Sequence, residues 1–344
     1  MSLSRHFMLA ALLPLFAAAC AEPPGQSAEY YVFGTLVDVR LPEASPEDAS
    51  EIFADLQQEL QRMHLEWHAW EPGELTRLNQ ALQAGRSEQT TRDIVALIQL
   101  SQKMEERSGG RFNAAIGKLV ALWGFHTSEF PVAGPPPAPA AIQVLVEAHP
   151  SAFDVEFANG VVLSHNPGVQ FDFGGIAKGY ALDLACAIIR NAGHDSAIVN
   201  AGGDVRAMGD KRGKRWRIAL RDPKGGIAGA IEISGDRAVF TSGNYERYRE
   251  DAGKRYPHIL DPRTGQPVSE VASATVIARD GATADAAATA MVVAGPDDWL
   301  RVAYDMDIEA ALMIDREGRM EATQAMMEFF SPADGREVAI FAVD

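Results

Sequence analysis

The 344-residue chain carries 31 Lys and Arg against 47 Asp and Glu, a formal charge of −16. That balance excludes a nucleic-acid-binding surface and an electrostatic grip on anionic lipid, and any polyanionic ligand would need local cations or a divalent metal. Only two cysteines are present, one of them in the N-terminal segment, so neither a disulfide framework nor a cysteine metal site is available and stability must come from a large core.

The N-terminal residues read as an export signal. Arg5 gives a weakly charged start, residues 7–19 are apolar apart from Pro14, and Ala17, Ala18 and Ala19 form a small-residue cleavage site. The apolar run is short for a membrane span. Cys20 resembles the lipid-accepting cysteine of bacterial lipoproteins, although Ala17 stands where leucine is usual. The expected organisation is a signal peptide over 1–19, a lipidated tether over 20–29 and one folded domain over 30–344. The expected location is the periplasmic side of a bacterial membrane, held through Cys20, with a soluble periplasmic protein as the alternative.

Alternation predicts a strand over 33–40, and apolar spacing at Ile52, Phe53, Leu56 and Leu60 predicts a helix over 47–65. A turn at 71–74 follows, then a helix over 91–108 ended by Gly109-Gly110. Residues 133–141 are rich in proline and alanine and read as a surface connection. Short strands are expected at 152–157, 160–164 and 170–173, then a helix over 177–191 stopped by Gly193, with Cys186 on its buried face. The second half is strand-rich, at 197–200, 216–220, 230–234, 238–242 and 272–278. Helices over 284–293 and 300–305 and strands at 309–314 and 338–343 complete the chain. The fold class is α+β, with mixed and antiparallel sheets and helices packed outside.

The stretch from Gln170 to Asp183 carries the most chemistry. Asp172 precedes Gly174-Gly175, Lys178 and an amphipathic helix. A glycine pair lets the backbone approach a ligand closely, and a helix N-terminus favours anionic groups. A lysine there adds a point charge to a phosphate. Asp285, 113 residues beyond Asp172, stands one helical turn before Thr289, which puts a carboxylate and a hydroxyl on one face. Each piece alone is ordinary, since a glycine pair marks a tight turn and an acid near a helix start serves the macrodipole. No Gly-x-Gly-x-x-Gly at a strand–helix turn and no Gly-x-x-x-x-Gly-Lys-Ser/Thr is present. Together the two constellations point to a metal-assisted phosphate site on another scaffold.

Five further segments stand out. They are Trp70 to Asn79, Gly109-Gly110-Arg111-Phe112-Asn113, Asn200-Ala201-Gly202-Gly203-Asp204, Phe240 to Tyr248, and Pro257 to Gly265. In order, the chain shows Asp-x-Gly-Gly-x-x-Lys-Gly, Gly-Gly-Asp, Ser-Gly-x-Tyr-Glu-Arg, His-x-x-Asp-Pro-x-Thr-Gly and Ala-Asp-x-x-x-Thr. This series resembles the ApbE family of FAD:protein FMN transferases, over about residues 30–344.

The resemblance implies an ApbE-type, T-fold-like architecture and a flavin site in which the FAD pyrophosphate meets Mg²⁺. The metal would be held by Asp285, Thr289 and the backbone carbonyl of Gly175, a hard-oxygen set that suits Mg²⁺. Asp172 and Lys178 would bind the nucleotide portion. Phe33 and Trp70 would contact the flavin or adenine, in place of the family's usual methionine and tyrosine. Arg111, Phe112, Asn113, Gly203, Asp204, Thr241, Ser242 and Ile259 would also line the FAD site. His258 would sit by the phosphates as a binding or proton-handling residue, and it forms the expected catalytic pair with Asp285. Asn113 stands where the family usually has aspartate, keeping hydrogen bonding but losing charge.

The implied reaction is attack by a threonine hydroxyl of a periplasmic or membrane flavoprotein on the FMN phosphorus of FAD, with loss of AMP. The alternatives are a metal-dependent FAD pyrophosphatase and a non-catalytic periplasmic FAD-binding protein.

Overall fold

A computed structural model describes residues 25–342, so the expected signal peptide and Cys20 lie outside the described residues. Nine strands form the main sheet: β1 (Gln26–Val32), β2 (Thr35–Leu41), β3 (Ala197–Ala201), β4 (Asp204–Met208), β5 (Arg237–Gly243), β6 (Val271–Ala278), β7 (Ala310–Asp315), β8 (Met320–Thr323) and β9 (Val338–Phe341). They lie side by side in chain order. Neighbours are antiparallel except β8 and β9.

Six helices fall between β2 and β3: α1 (Pro46–Glu66), α2 (Glu74–Gln83), α3 (Arg92–Arg107), α4 (Gly117–Trp123), α5 (Pro139–Glu147) and α6 (Ala177–Asn191). Two more, α7 (Gly281–Ala294) and α8 (Trp299–Asp305), fall between β6 and β7. The α+β expectation holds. None of the described helices is long and apolar enough to cross a membrane.

The sheet separates two cores. On one face α1, α6 and α7 bury Leu56, Leu60, Leu182, Ile189, Met291 and Val292 against Val199, Phe240, Ala274 and Val276. On the other face a three-stranded sheet, formed by residues Trp216–Arg221, Ile227–Ile233 and Phe330–Pro332, packs Trp216, Ile231 and Phe330 against Val205, Val239 and Leu312. Strands β4 and β7 are buried along their whole length, as strands covered on both faces must be.

Helices α6 and α7 touch backbone to backbone. A Cβ on Gly179 would lie 2.1 Å from the Gly281 carbonyl oxygen, and one on Gly281 would lie 2.4 Å from that of Gly179. Only glycine permits that approach. The contact is clasped from both sides. Asp183 of α6 accepts the N–H groups of Gly281 at 2.8 Å and Ala282 at 3.1 Å. In return Asp285 of α7 accepts the Gly179 N–H at 3.0 Å. Each helix start, rich in unpaired N–H groups, is thus served by the other helix's acid.

Several expectations are corrected. Strand β1 starts at Gln26 and pairs with β2, so residues 26–29, expected in the tether, belong to the sheet. The predicted strand at 33–40 starts two residues later, because Phe33 and Gly34, at φ +54° and +70°, form the tight turn of the β1–β2 hairpin. Residues 170–173 make no strand. Their backbone bonds go to Ala114, Ala115 and Gly117 and to the Asn79 amide, which brackets Phe171 at 2.9 and 2.8 Å. Helix α5 starts inside the proline- and alanine-rich connection, with Pro139 in its first turn. Strand β4, helix α4 and the hairpin Tyr248–Asp251/Lys254–Pro257 have no counterpart among the predicted elements.

Candidate functional site

The start of α6 gathers the predicted phosphate residues. Helix α6 has no side-chain cap at its N-cap residue; its first N–H groups are taken by the Phe173 carbonyl and by Asp285 of α7, which leaves Lys178 as the polar side chain of this turn. The Lys178 ammonium forms a short ion pair with Asp204 at the start of β4. Asp204 also accepts the Thr241 N–H at 2.8 Å, and Thr241 shares a 2.9 Å hydrogen bond with Thr275. One residue on, the Ser242 and Thr289 hydroxyls are 3.0 Å apart. Gly175 closes the group, since a Cβ there would lie 3.3 Å from both Thr289 Oγ1 and Phe112 Cε2. The three residues expected to hold a metal, Gly175, Asp285 and Thr289, therefore share one neighbourhood with Lys178, Asp204 and Ser242.

Its charges are strongly perturbed. Burial pushes the Asp285 carboxyl up to about 7, with Asp204 and Asp183 adding to the rise and Lys178 and the Gly179 N–H opposing it. Burial works against the Lys178 ammonium, but Asp204 and Asp285 outweigh it and hold its pKa above the ordinary value. Burial likewise raises Asp172, although the Gly174 N–H at 2.9 Å and the Trp70 side chain stabilise its charged form. Burial, assisted by the positive charges of Arg247 and Lys178, lowers His258 to about 4. Its ring is neutral at pH 7, and its buried Nδ1 has no hydrogen-bond partner. Two carboxyls held up, a lysine held charged and a histidine held neutral make a cluster of perturbed groups of the kind that marks a candidate functional site.

An aromatic wall borders this cluster. Phe33 donates its backbone N–H to His64 Nδ1 at 3.3 Å and stacks on Trp67 at 6.5 Å between centroids. Its left-handed φ costs about 1 kcal/mol or more in a residue with a side chain. Trp70 leans on His126 at 5.4 Å and reaches Asp172. Arg247 stands beside the turn, with a Gly34 Cβ position 3.8 Å from its Nη2, and lies over the Phe130 ring. Its charge acts on Asp172, Lys178 and His258 together. Sequence reasoning gives Arg247 no role, and the Ser-Gly-x-Tyr-Glu-Arg pattern is the signal that points to it.

Other predicted residues sit differently. Arg111 is buried in an ion pair with Asp298 and bonded to the Ser108 carbonyl. Asn113 gives its amide to the Pro150 carbonyl at 2.8 Å and accepts the Ala115 N–H at 2.7 Å. Both are expected to line the FAD site; here Asn113 holds the loop that bonds to residues 170–172, while Arg111 ties Ser108 to Asp298 and keeps a buried Nε without a partner. The missing charge at position 113 is thus compatible with a scaffold role. Phe112 is buried behind Gly175. Gly203 belongs to the β3–β4 turn and donates to Asn200 at 2.9 Å, and Ile259 is buried beside His258.

Among the described residues, no group of three or more His, Cys, Asp or Glu side chains is arranged to hold a metal. The expected metal set has one acid, with hydroxyl and carbonyl oxygens for the rest. A groove of about 770 Å³ between β1 and α1 contains none of these groups. The clustered chemistry, not groove size, locates the site.

A glycine loop at a helix start, a half-buried lysine among acids and an adjoining aromatic wall form the candidate site on an α+β scaffold. The chain belongs to the ApbE family, whose model matches residues 33–312. A Rhodobacter capsulatus protein named FAD:protein FMN transferase is 42% identical over 322 residues, 92% of this chain. This chain spans only 60% of that relative's length. A Treponema pallidum (strain Nichols) protein of the same name is 32% identical over 331 residues, covering 89% of each chain. The solved ApbE protein of Thermotoga maritima superposes with a TM-score of 0.79 at 31% identity, covering 89% of this chain and 99% of its own. The apo flavinyl transferase ApbE of Pseudomonas stutzeri gives 0.77 at 27% identity, with 90% and 98% covered.

Proposed function

We propose that this chain transfers the FMN moiety of FAD to a threonine hydroxyl of an acceptor flavoprotein, releasing AMP, in an Mg²⁺-dependent reaction. The observation that carries this reading is the buried Asp285 carboxyl, pushed up to about 7 and sharing a neighbourhood with Thr289, Gly175 and Lys178.

The donor set fits a hard cation. Asp285, the Thr289 hydroxyl and the Gly175 carbonyl are all oxygen ligands, and a carboxylate disfavoured by burial gains most from a nearby positive charge. Bound there, Mg²⁺ supplies charge neutralisation and orientation at a pyrophosphate. Lys178 adds a second positive charge on the same phosphates, and Phe33 and Trp70 hold the flavin or adenine ring. A new bond forms between the acceptor oxygen and the FMN phosphorus while the bond to the bridging oxygen breaks, and AMP departs with that oxygen. His258, neutral at pH 7, takes the acceptor hydroxyl's proton.

Incubation with FAD, Mg²⁺ and a candidate acceptor, followed by flavin fluorescence on a denaturing gel, tests the reading. A fluorescent acceptor band with equimolar AMP is expected. AMP without labelled acceptor would identify a pyrophosphatase, and neither product would identify a binding protein.

The N-terminal organisation belongs to the same proposal, namely export, cleavage after Ala19 and a lipid on Cys20 that places the domain on the periplasmic side of a membrane. Mass spectrometry of the native protein should find a lipidated Cys20 at the N-terminus. An unmodified N-terminus, or membrane partitioning retained in Cys20→Ser, would refute it.

A further inference from the structure

We infer that His64 and His68 are positioning residues for the aromatic wall, each holding through Nδ1 the backbone of a residue that presents a ring to the site. The inference rests on the proposal that Phe33 and Trp70 face the flavin or adenine ring of FAD.

His64 lies in the last turn of α1 and His68 just beyond its end, with ring centroids 5.9 Å apart at 82°. His64 Nδ1 accepts the Phe33 N–H at 3.3 Å. His68 Nδ1 accepts two N–H groups, from Trp70 at 3.2 Å and Glu71 at 2.9 Å. A ring nitrogen that accepts an N–H does so through its lone pair, so Nδ1 is the acceptor atom in both rings.

Both contacts fall where the backbone needs holding. Phe33 opens a two-residue turn at φ +54°, a place that favours asparagine or glycine. Such a conformation persists in a phenylalanine only when its surroundings fix it. His64 supplies an acceptor for its N–H and an edge for its ring, with centroids 5.9 Å apart at 84°. Trp70 sits in the loop between α1 and α2, outside helix and strand, and the double acceptance by His68 sets the path of that loop. Phe33 and Trp70 come from separate segments, yet both hang from one end of α1. That helix end therefore fixes the spacing between the two rings.

The test measures FAD affinity and quenching of bound-flavin fluorescence for His64→Leu, His64→Asn, His68→Leu and His68→Asn in the full chain. Melting temperatures and the reference variants Phe33→Ala and Trp70→Ala are measured alongside. Asparagine offers an oxygen near the Nδ1 position, whereas leucine offers bulk without an acceptor. Each Leu variant should bind FAD about ten-fold more weakly and lose quenching, while each Asn variant stays within about three-fold of wild type. If a Leu variant melts below the assay temperature, Asn against Gln at the same position decides, because the Gln oxygen falls near Nε2 instead. Equal losses with and without the acceptor would overturn the inference. So would unaltered binding in the Leu variants while Phe33→Ala and Trp70→Ala bind weakly. Unchanged binding in those two reference variants would sink the ring-binding proposal itself, and the inference with it.

Discussion

Asp285 accepts the backbone N–H of Gly179 at 3.0 Å, which fastens the expected metal carboxylate to the turn of α6 that carries Lys178. The chemistry of α7 and the phosphate-facing start of α6 are thereby one mechanical unit. A change at Asp285 should act on both metal dependence and phosphate placement.

Asp285→Ala should lower kcat/KM for Mg²⁺-dependent FMN transfer by about 100-fold or more. The protein should still fold, because the substitution removes a carboxylate that burial disfavours. Thr289→Ala should lose less, since a neutral hydroxyl contributes less to a cation than a carboxylate. Near wild-type turnover of Asp285→Ala at saturating Mg²⁺ would end the metal assignment.

Stability of the metal-free protein should depend on pH through groups of opposite sign, among them Asp285 and His258. The folded pKa of Asp285, about 7, lies above the ordinary 3.8. Its contribution is fully present below about 4 and is lost as pH rises to about 7. The folded pKa of His258, about 4, lies below the ordinary 6.5. Its contribution is present above about 6.5 and is lost as pH falls toward 4. Melting temperatures from pH 4 to 8 should show Asp285→Asn reducing the first slope, to which the raised Asp172 also contributes, and His258→Gln reducing the second. Parallel curves for wild type and both variants would contradict these assignments.

FAD should bind more tightly than riboflavin, because the predicted residues surround a pyrophosphate as well as a ring. Lys178→Met should narrow the gap by at least about ten-fold, or roughly 1.4 kcal/mol, by weakening FAD and leaving riboflavin nearly unchanged. Calorimetry with both ligands checks this. Equal affinities in the wild type would refute the phosphate half of the site.

Gly179→Ala should destabilise the fold by about 1–3 kcal/mol through forced separation of α6 from α7, since its Cβ would meet the Gly281 carbonyl at 2.1 Å. Denaturant unfolding gives the number. A loss below about 0.5 kcal/mol would mean that the helices part easily.

Much of this was legible from residues alone. The bounds of α6 follow from the spacing of Leu182, Ile189 and their neighbours and from Gly193, and the structure reproduces them. Asp285 and Thr289 share a helix face as their spacing required. Strand β4 gives no strand signal because burial on both faces removes alternation while the buried Asp204 and Arg206 break the apolar run that marks β7. The hairpin turn at Phe33 was hidden because phenylalanine gives no turn signal. The places of Arg111 and Asn113 depend on Asp298 and Pro150, far away in the chain, and no local pattern could report them. The work of His64 and His68 likewise depends on which backbone groups folding brings beside them.

The chain-ordered sheet bears on how the protein folds. Most neighbouring strands are joined by short or moderate connections, but β2 meets β3 only after residues 42–196, six helices included, have been looped out. Closing a long loop is slow, although its entropic cost grows only weakly with length. Phe33 precedes that loop and Asp172 and Lys178 lie within it, whereas Asp204, His258 and Asp285 follow it. The binding centre therefore cannot be assembled by any early local hairpin. It forms when the most distant pairing in the sheet is made, and FAD added to a refolding chain should find no complete partner before that step.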